Sequence, residues 1–342
     1  MAKHQKNKGL KVTTSNLCSE IMLHTGLDHH GKERTAVCCL SSVNLEKWDE
    51  WATNEIFIQD VMRFLDNVLE DFIQNAPESM SNAVYSAMRE RSVGLGAMGF
   101  HSFLQKKGIP FESALAKSWN VKFFKHLKQE ADKASVVLAI EKGACPDAEE
   151  GQVKARFSHK LAIAPTASIS IICGGTSACI EPIPANIYTH KTLSGSFTVK
   201  NKFLENLLEE KKINNENIWQ SIIENDGSVA HLEELTKDEK KCFKTAFEID
   251  QRWIIEMAAD RTPFICQSQS INLYLSADID KWDLMMLHWK AWELGIKSLY
   301  YCRSKSIQRA SFAGVEADNT SSWPEKNISE PKTDYEECLS CQ

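Results

Sequence analysis

No apolar run in these 342 residues approaches the roughly 18 to 20 needed to cross a bilayer, which argues against a membrane span. An excess of basic charge is also lacking. The formal net charge is -6, without the basic stripe expected of a nucleic-acid or membrane-surface binder. The lysine-rich opening from Met1 to Lys11 has no apolar h-region, so it is not a secretory signal. It reads as a mobile basic leader over residues 1–13, on a cytoplasmic chain. No internal repeat is present. Eleven cysteines, an odd number, lack the close spacing of a disulfide framework and read as mostly reduced thiols. What remains is the composition of an ordinary globular protein, 43% hydrophobic and 25% charged, long enough for one large domain or two.

Periodicity supplies the elements. Two strands around the polar turn 28–32 are expected between Cys18 and Asn44, with a buried strand at Thr35 to Leu40. Ile58, Val61, Met62, Leu65, Val68, Leu69, Phe72 and Ile73 recur at helical spacing, and Asn75-Ala76-Pro77 stops that helix. Helices are also expected over 118–142, through much of 200–258, and over 279–295. Strands are expected at 264–275 and 299–302. Beyond Phe312 the composition turns to Asp, Asn, Ser, Pro, Glu and Lys, which predicts a flexible tail over 313–342.

Several short patterns carry chemistry. Asn16, Cys18 and Glu20 place an amide, a thiol and a carboxylate at every second residue. An extended backbone would set all three on one face. Gly94-Leu95-Gly96-Ala97-Met98-Gly99 matches the GxGxxG dinucleotide fingerprint, but helix-like residues precede it, and close packing at a helix start explains it better. Cys38 and Cys39 are adjacent and would point to opposite faces of a strand, as redox thiols or as two small buried hydrophobes. Pro165, Thr166, Ala167, Ser168, Ile169 and Ser170 follow an apolar segment, and their hydroxyls and amides suit a phosphate or a capped turn. Tyr300-Tyr301 by itself reads as core. Cys338 and Cys341 form a CxxC on the tail: half a zinc site, a thioredoxin-like motif or a mobile dithiol shuttle.

Taken in order, these segments resemble one family, the large catalytic subunit of class I ribonucleotide reductase. SNLCSEI resembles its finger loop and AVCCLSSVNL the following strand with a redox cysteine, where Cys38 is the better match. RSVGLGAMGFHSFL is similar to a glycine-containing helix start there. APTASIS resembles the substrate-phosphate loop, and LYY the radical-transfer tyrosine pair. The tail CxxC resembles the family's swinging reductant. The resemblance runs from about residue 14 to the end.

That resemblance implies an α/β fold: residues 14–312 would be the finger loop and the second half of a ten-stranded α/β barrel. Cys18 would become a thiyl radical and Glu20 a general base, with Asn16 holding the ribose. Cys38 would supply one reducing thiol, and Pro165 to Ser170 would bind the substrate's phosphates. Tyr300 and Tyr301 would relay the oxidising equivalent. Cys338 and Cys341 would restore the reduced state, themselves reduced by thioredoxin or glutaredoxin. No metal or other cofactor is expected in this chain, because the metal-radical cofactor belongs to a small subunit. The family's large subunit is longer, and the segment before the finger loop is absent here. The chain therefore reads as the C-terminal half of a split subunit, with an N-terminal fragment, the small subunit and a nucleoside diphosphate as partners. Other readings are a non-catalytic remnant that binds reductase subunits and a stand-alone dithiol oxidoreductase.

Overall fold

The computed structural model describes residues 3–192 and 195–304, so Cys338, Cys341 and the tail over 313–342 lie outside the described residues. The chain opens with a short helix, α1 (Lys3–Lys6), and a small antiparallel hairpin, β1 (Gly26–Leu27) with β2 (Glu33–Arg34). Strand β3 (Cys39–Asn44) leads through a turn of helix, α2 (Trp48–Trp51), into α3 (Phe57–Asn75) and α4 (Ser81–Glu90). The chain then returns as β4 (Val93–Met98), which pairs with β3 in parallel. A parallel return requires such a crossover. Ile58, Met62, Leu65 and Leu69 of α3 are buried, as the 3.6-residue period predicts. Each such side chain contributes about 1.5–3 kcal/mol.

Single parallel bridges, Leu95 to Leu161 and Ile163 to Gln269, extend the β3–β4 pair. Beyond them β7 (Leu273–Leu275) pairs in parallel with β8 (Cys302–Ser304). Five parallel segments thus lie side by side, near residues 39–44, 93–98, 161–163, 267–275 and 300–304. Helices α6 (Ala114–Lys142), α12 (Gln251–Arg261) and α13 (Lys281–Glu293) pack outside them, α6 against α3 and α12. This is a partial α/β barrel. Helices α5 (Phe100–Lys106), α7 (Pro146–Glu150) and α8 (Ala167–Ile172) are short connectors. A second core forms around Leu204, Leu208, Trp219 and Ile222, where the hairpin β5 (Ile187–Thr192) with β6 (Gly195–Lys200) meets α9 (Lys202–Glu210), α10 (Glu216–Glu224) and α11 (Lys237–Cys242).

Two expectations change. The glycine motif lies on a strand that leads into a helix, but every gap its glycines leave is filled by protein. A Cβ on Gly94 would collide with Leu40, and one on Gly96 would come 2.6 Å from the Ala162 carbonyl. At Gly99, φ is 79° and a Cβ would meet the Asn44 Oδ1 at 2.5 Å. The glycines allow close strand approach and leave no room for a dinucleotide. The leader is seated rather than loose where it is described. Gln5 is buried, and its amide donates to Glu90 at 2.8 Å and to Asp147 at 3.3 Å. Those buried carboxylates need donors, and Gln5 and Arg34 provide them.

Candidate active site

The backbone at Asn16 to Glu20 is not extended. The Ser19 N–H donates to the Asn16 carbonyl at 3.1 Å, and Ser19 has a φ of 64°. A tight turn, not strand alternation, therefore gathers this segment, and its anchors come from the strand segment 267–272. The Ser268 N–H donates to the Glu20 carbonyl at 2.8 Å. The Ser270 hydroxyl lies 2.5 Å from the Cys18 carbonyl oxygen and 3.2 Å from the Glu20 carboxylate. Ser298 donates to the Ser19 carbonyl at 2.9 Å, while the Asn16 Oδ1 accepts from the Ile21 N–H at 3.0 Å. Glu20 is buried, so its carboxylate works away from bulk water.

Next to this turn stands the tyrosine pair. The Cys18 Sγ is 3.4 Å from the Tyr300 hydroxyl, and the Tyr300 and Tyr301 rings have centroids 4.0 Å apart, tilted by 37°. Burial and the neighbouring Cys18 and Tyr301 groups raise the Tyr300 phenol above its ordinary range. The pair is held from behind. The Tyr300 N–H donates to the Ile271 carbonyl at 2.8 Å, and the Tyr301 N–H to the Asn272 Oδ1 at 3.1 Å. In turn Asn272 donates to Glu181 at 3.1 Å. The pair is thus more than core packing, since Tyr301 remains 42% exposed at the outer end of the series.

Cys38 precedes β3 and accepts a hydrogen bond from the Gln267 Nε2 at 3.2 Å. Gly94 leaves it room, because a Cβ there would come 3.2 Å from the sulfur. Burial pushes the Cys38 thiol up and the Gln267 donor opposes that. Cys38 and Asn16 line one cavity of about 190 Å³, together with Thr14, Ile21 and Thr25. Cys39 instead packs against the main core, and burial raises its thiol too.

The hydroxyl-rich loop opens α8. Thr166 takes a left-handed conformation (φ 54°), and its hydroxyl accepts from the Cys179 N–H at 2.7 Å. Pro165 and Ala167 are half-buried, Ser168 and Ile169 are exposed, and Ser170 is buried with its hydroxyl donating to the Ala167 carbonyl at 3.1 Å. The loop joins the site through Cys179, whose thiol reaches the Ser270 carbonyl at 3.8 Å. Among the described residues, one trio of possible metal ligands converges, His29, His30 and Glu150. Lys8 and Arg89 already hold that Glu150, each at 2.6 Å, which does not suit a cation site. No helix among the described residues is long and apolar enough to cross a membrane.

Gln267, Ser268, Ser270 and Asn272 organise the site and were not singled out in the sequence. Their signal is the run Gln267 to Asn272, five polar residues in six inside a segment whose flanks read as a buried strand. A polar run that must be buried needs partners.

The family model for the ribonucleotide reductase barrel domain matches residues 2–155 and 149–302. The ribonucleoside-diphosphate reductase large subunit of Invertebrate iridescent virus 6 is 50% identical over 299 residues, covering 86% of this chain and 30% of that protein. The large subunit of Invertebrate iridescent virus 3 is 47% identical over 306 residues, 89% of this chain and 48% of its own length. The solved class Id ribonucleotide reductase alpha subunit of Actinobacillus ureae superposes with a TM-score of 0.82 at 40% identity, over 91% of this chain and 57% of that one. The chain therefore spans between about a third and somewhat over half the length of these relatives.

Proposed function

The chain belongs to the ribonucleotide reductase barrel-domain family, and from that premise we propose that it carries the radical site of a ribonucleoside-diphosphate reductase large subunit. The observation that carries this reading is the continuous series Cys18, Tyr300, Tyr301, with hydroxyl and sulfur 3.4 Å apart and the rings 4.0 Å apart. Cys18 loses its hydrogen atom to the Tyr300 phenoxyl and, as a thiyl, takes the 3′ hydrogen of the ribose. Thiol S–H and activated sugar C–H bonds are similar in strength, so the hydrogen can return. Glu20 takes the 3′ hydroxyl proton while the 2′ hydroxyl leaves as water. Burial of Glu20 beside the Ser270 hydroxyl fixes the carboxylate for that transfer. Asn16 orients the ribose.

Cys38 and a second thiol supply two protons and two electrons: one proton leaves with the 2′ hydroxyl as water, the other ends on the 2′ carbon, and the two sulfurs close to a disulfide. The cavity shared with Asn16 favours Cys38 over Cys39 in this role. Pro165 to Ser170 cradle the diphosphate, the first-turn amides of a helix being available for anions. Cys338 and Cys341 reopen the disulfide by exchange, and thioredoxin or glutaredoxin reduces them. The oxidising equivalent comes from a metal-radical cofactor in a small subunit that faces Tyr301. Among the described residues β3 is paired on one side only, and Leu40 within it is exposed. That edge receives the remaining barrel strands. The assembly works in the cytoplasm.

Reconstitution tests this. The chain, a polypeptide carrying the remaining barrel strands and the small subunit are assayed for nucleoside diphosphate reduction. Turnover is expected, and Cys18→Ala abolishes it while the subunits still assemble. Full activity of Cys18→Ala would sink the radical assignment.

A further inference from the structure

Gln267 is fully buried, and its amide touches three separate segments. The Oε1 accepts from the Met22 N–H at 3.1 Å, two residues beyond Glu20. The Nε2 donates to the Val93 carbonyl at 3.2 Å and to the Cys38 sulfur at 3.2 Å. This orientation is fixed by chemistry. The Met22 N–H needs an acceptor and the Val93 carbonyl a donor, so a flipped amide would fail at both. Two N–H groups are available, and satisfying the backbone uses one. The second is aimed at sulfur.

We propose that Gln267 is the positioning residue of the Cys38 sulfur, holding it by an N–H···S hydrogen bond in register with the turn that carries Cys18 and Glu20. The inference rests on the reading of Cys38 as a reducing thiol, and it assigns that thiol a dedicated donor. A neutral thiol is a weak acceptor and a thiolate a strong one, so the same donor favours the reactive form. The other titratable groups that bear on Cys38 are Cys39, Cys266 and Glu90, all of which disfavour a thiolate. Gln267 is the group that works the other way. Gly94 closes the site from the opposite strand, with the Cβ position 3.2 Å from the sulfur.

Alkylation by iodoacetamide across pH, read residue by residue by mass spectrometry on the full chain, tests the proposal. Gln267→Met removes the donors, and Gln267→Glu removes them and adds negative charge. At pH 8, Cys38 alkylation should slow about tenfold in Gln267→Met, equivalent to about one pKa unit, and further in Gln267→Glu. Cys39 serves as internal reference and should keep its rate. A merely structural role predicts the opposite sign, because loosening the site exposes Cys38 and speeds its alkylation. Unchanged or faster modification of Cys38 overturns the proposal. Hydrogen exchange on the unsubstituted chain gives a second readout that needs no variant. Alkylating Cys38 displaces the amide, so the Met22 N–H should exchange faster, and unchanged protection there overturns the proposal as well. Neither readout requires reductase turnover, so failure of the catalytic reading and failure of this one are separable.

Discussion

Replacing Glu90 by Gln should remove a specific loss of stability between acidic and neutral pH. Glu90 is fully buried at the end of α4, where its carboxylate accepts from Gln5 at 2.8 Å. Burial raises its pKa from 4.5 to about 7, with the Gln5 hydrogen bond and Arg34 opposing and Asp147 adding to the rise. In the unfolded chain the group titrates near 4.5. Between that value and about 7 the folded state therefore holds a proton that the unfolded state has lost, and stability falls as pH rises. The full effect amounts to about 3 kcal/mol, complete above about pH 7 and absent below the unfolded pKa. Gln keeps an acceptor for Gln5 and carries no charge. Urea unfolding at pH 5 and pH 8 supplies the comparison. Glu181 and His101, two further buried groups with large shifts, contribute equally to both proteins. Relative to the unsubstituted chain, Glu90→Gln should gain about 2–3 kcal/mol on going from pH 5 to pH 8. Parallel stability curves for the two proteins would refute the reasoning.

Other consequences are equally specific. Asp66 is buried among Arg91, Arg156 and Lys142; burial acts to raise its carboxyl, but the guanidinium groups prevail and lower it. Asp66→Ala leaves those cations uncompensated and should cost about 3–5 kcal/mol in urea unfolding. Gly96→Ala drives a Cβ to 2.6 Å from the Ala162 carbonyl, a backbone atom that cannot swing aside. It should cost about 1–3 kcal/mol, read as a fall in Tm. Cys338→Ala in the reconstituted reductase should keep turnover with dithiothreitol and lose it with thioredoxin. Equal activity with both reductants would remove the tail from the cycle.

What could be read in the sequence depended on whether a signal was local. The stripe Ile58, Met62, Leu65 and Leu69 located α3 directly, because one buried helix face imposes its own period. Strand β4 was harder. All six of its residues are buried, so no alternation marks it, and its glycines imitate a nucleotide loop. The turn at Asn16 to Ser19 was hidden because alternating residue types suggest extension, whereas Cys18 and the left-handed Ser19 are held by partners some 250 to 280 residues away. Gln267 and Ser270 were missed for the same reason. A buried polar side chain acquires meaning only from what it faces, and here Cys38, Met22, Cys18 and Glu20 come from distant chain. Gln5 shows the same limit at the leader, where nothing nearby signals that Glu90 and Asp147 await its amide.

The relay from Tyr301 through Tyr300 to Cys18 is the centre of the account, and Tyr300→Phe probes it most directly. The substitution removes only the hydroxyl 3.4 Å from the Cys18 sulfur and keeps the ring stacked on Tyr301. In the reconstituted reductase, nucleoside diphosphate reduction should fall to background, a loss of at least about a thousandfold, with subunit assembly unaltered. Turnover within about twofold of the unsubstituted protein would contradict it.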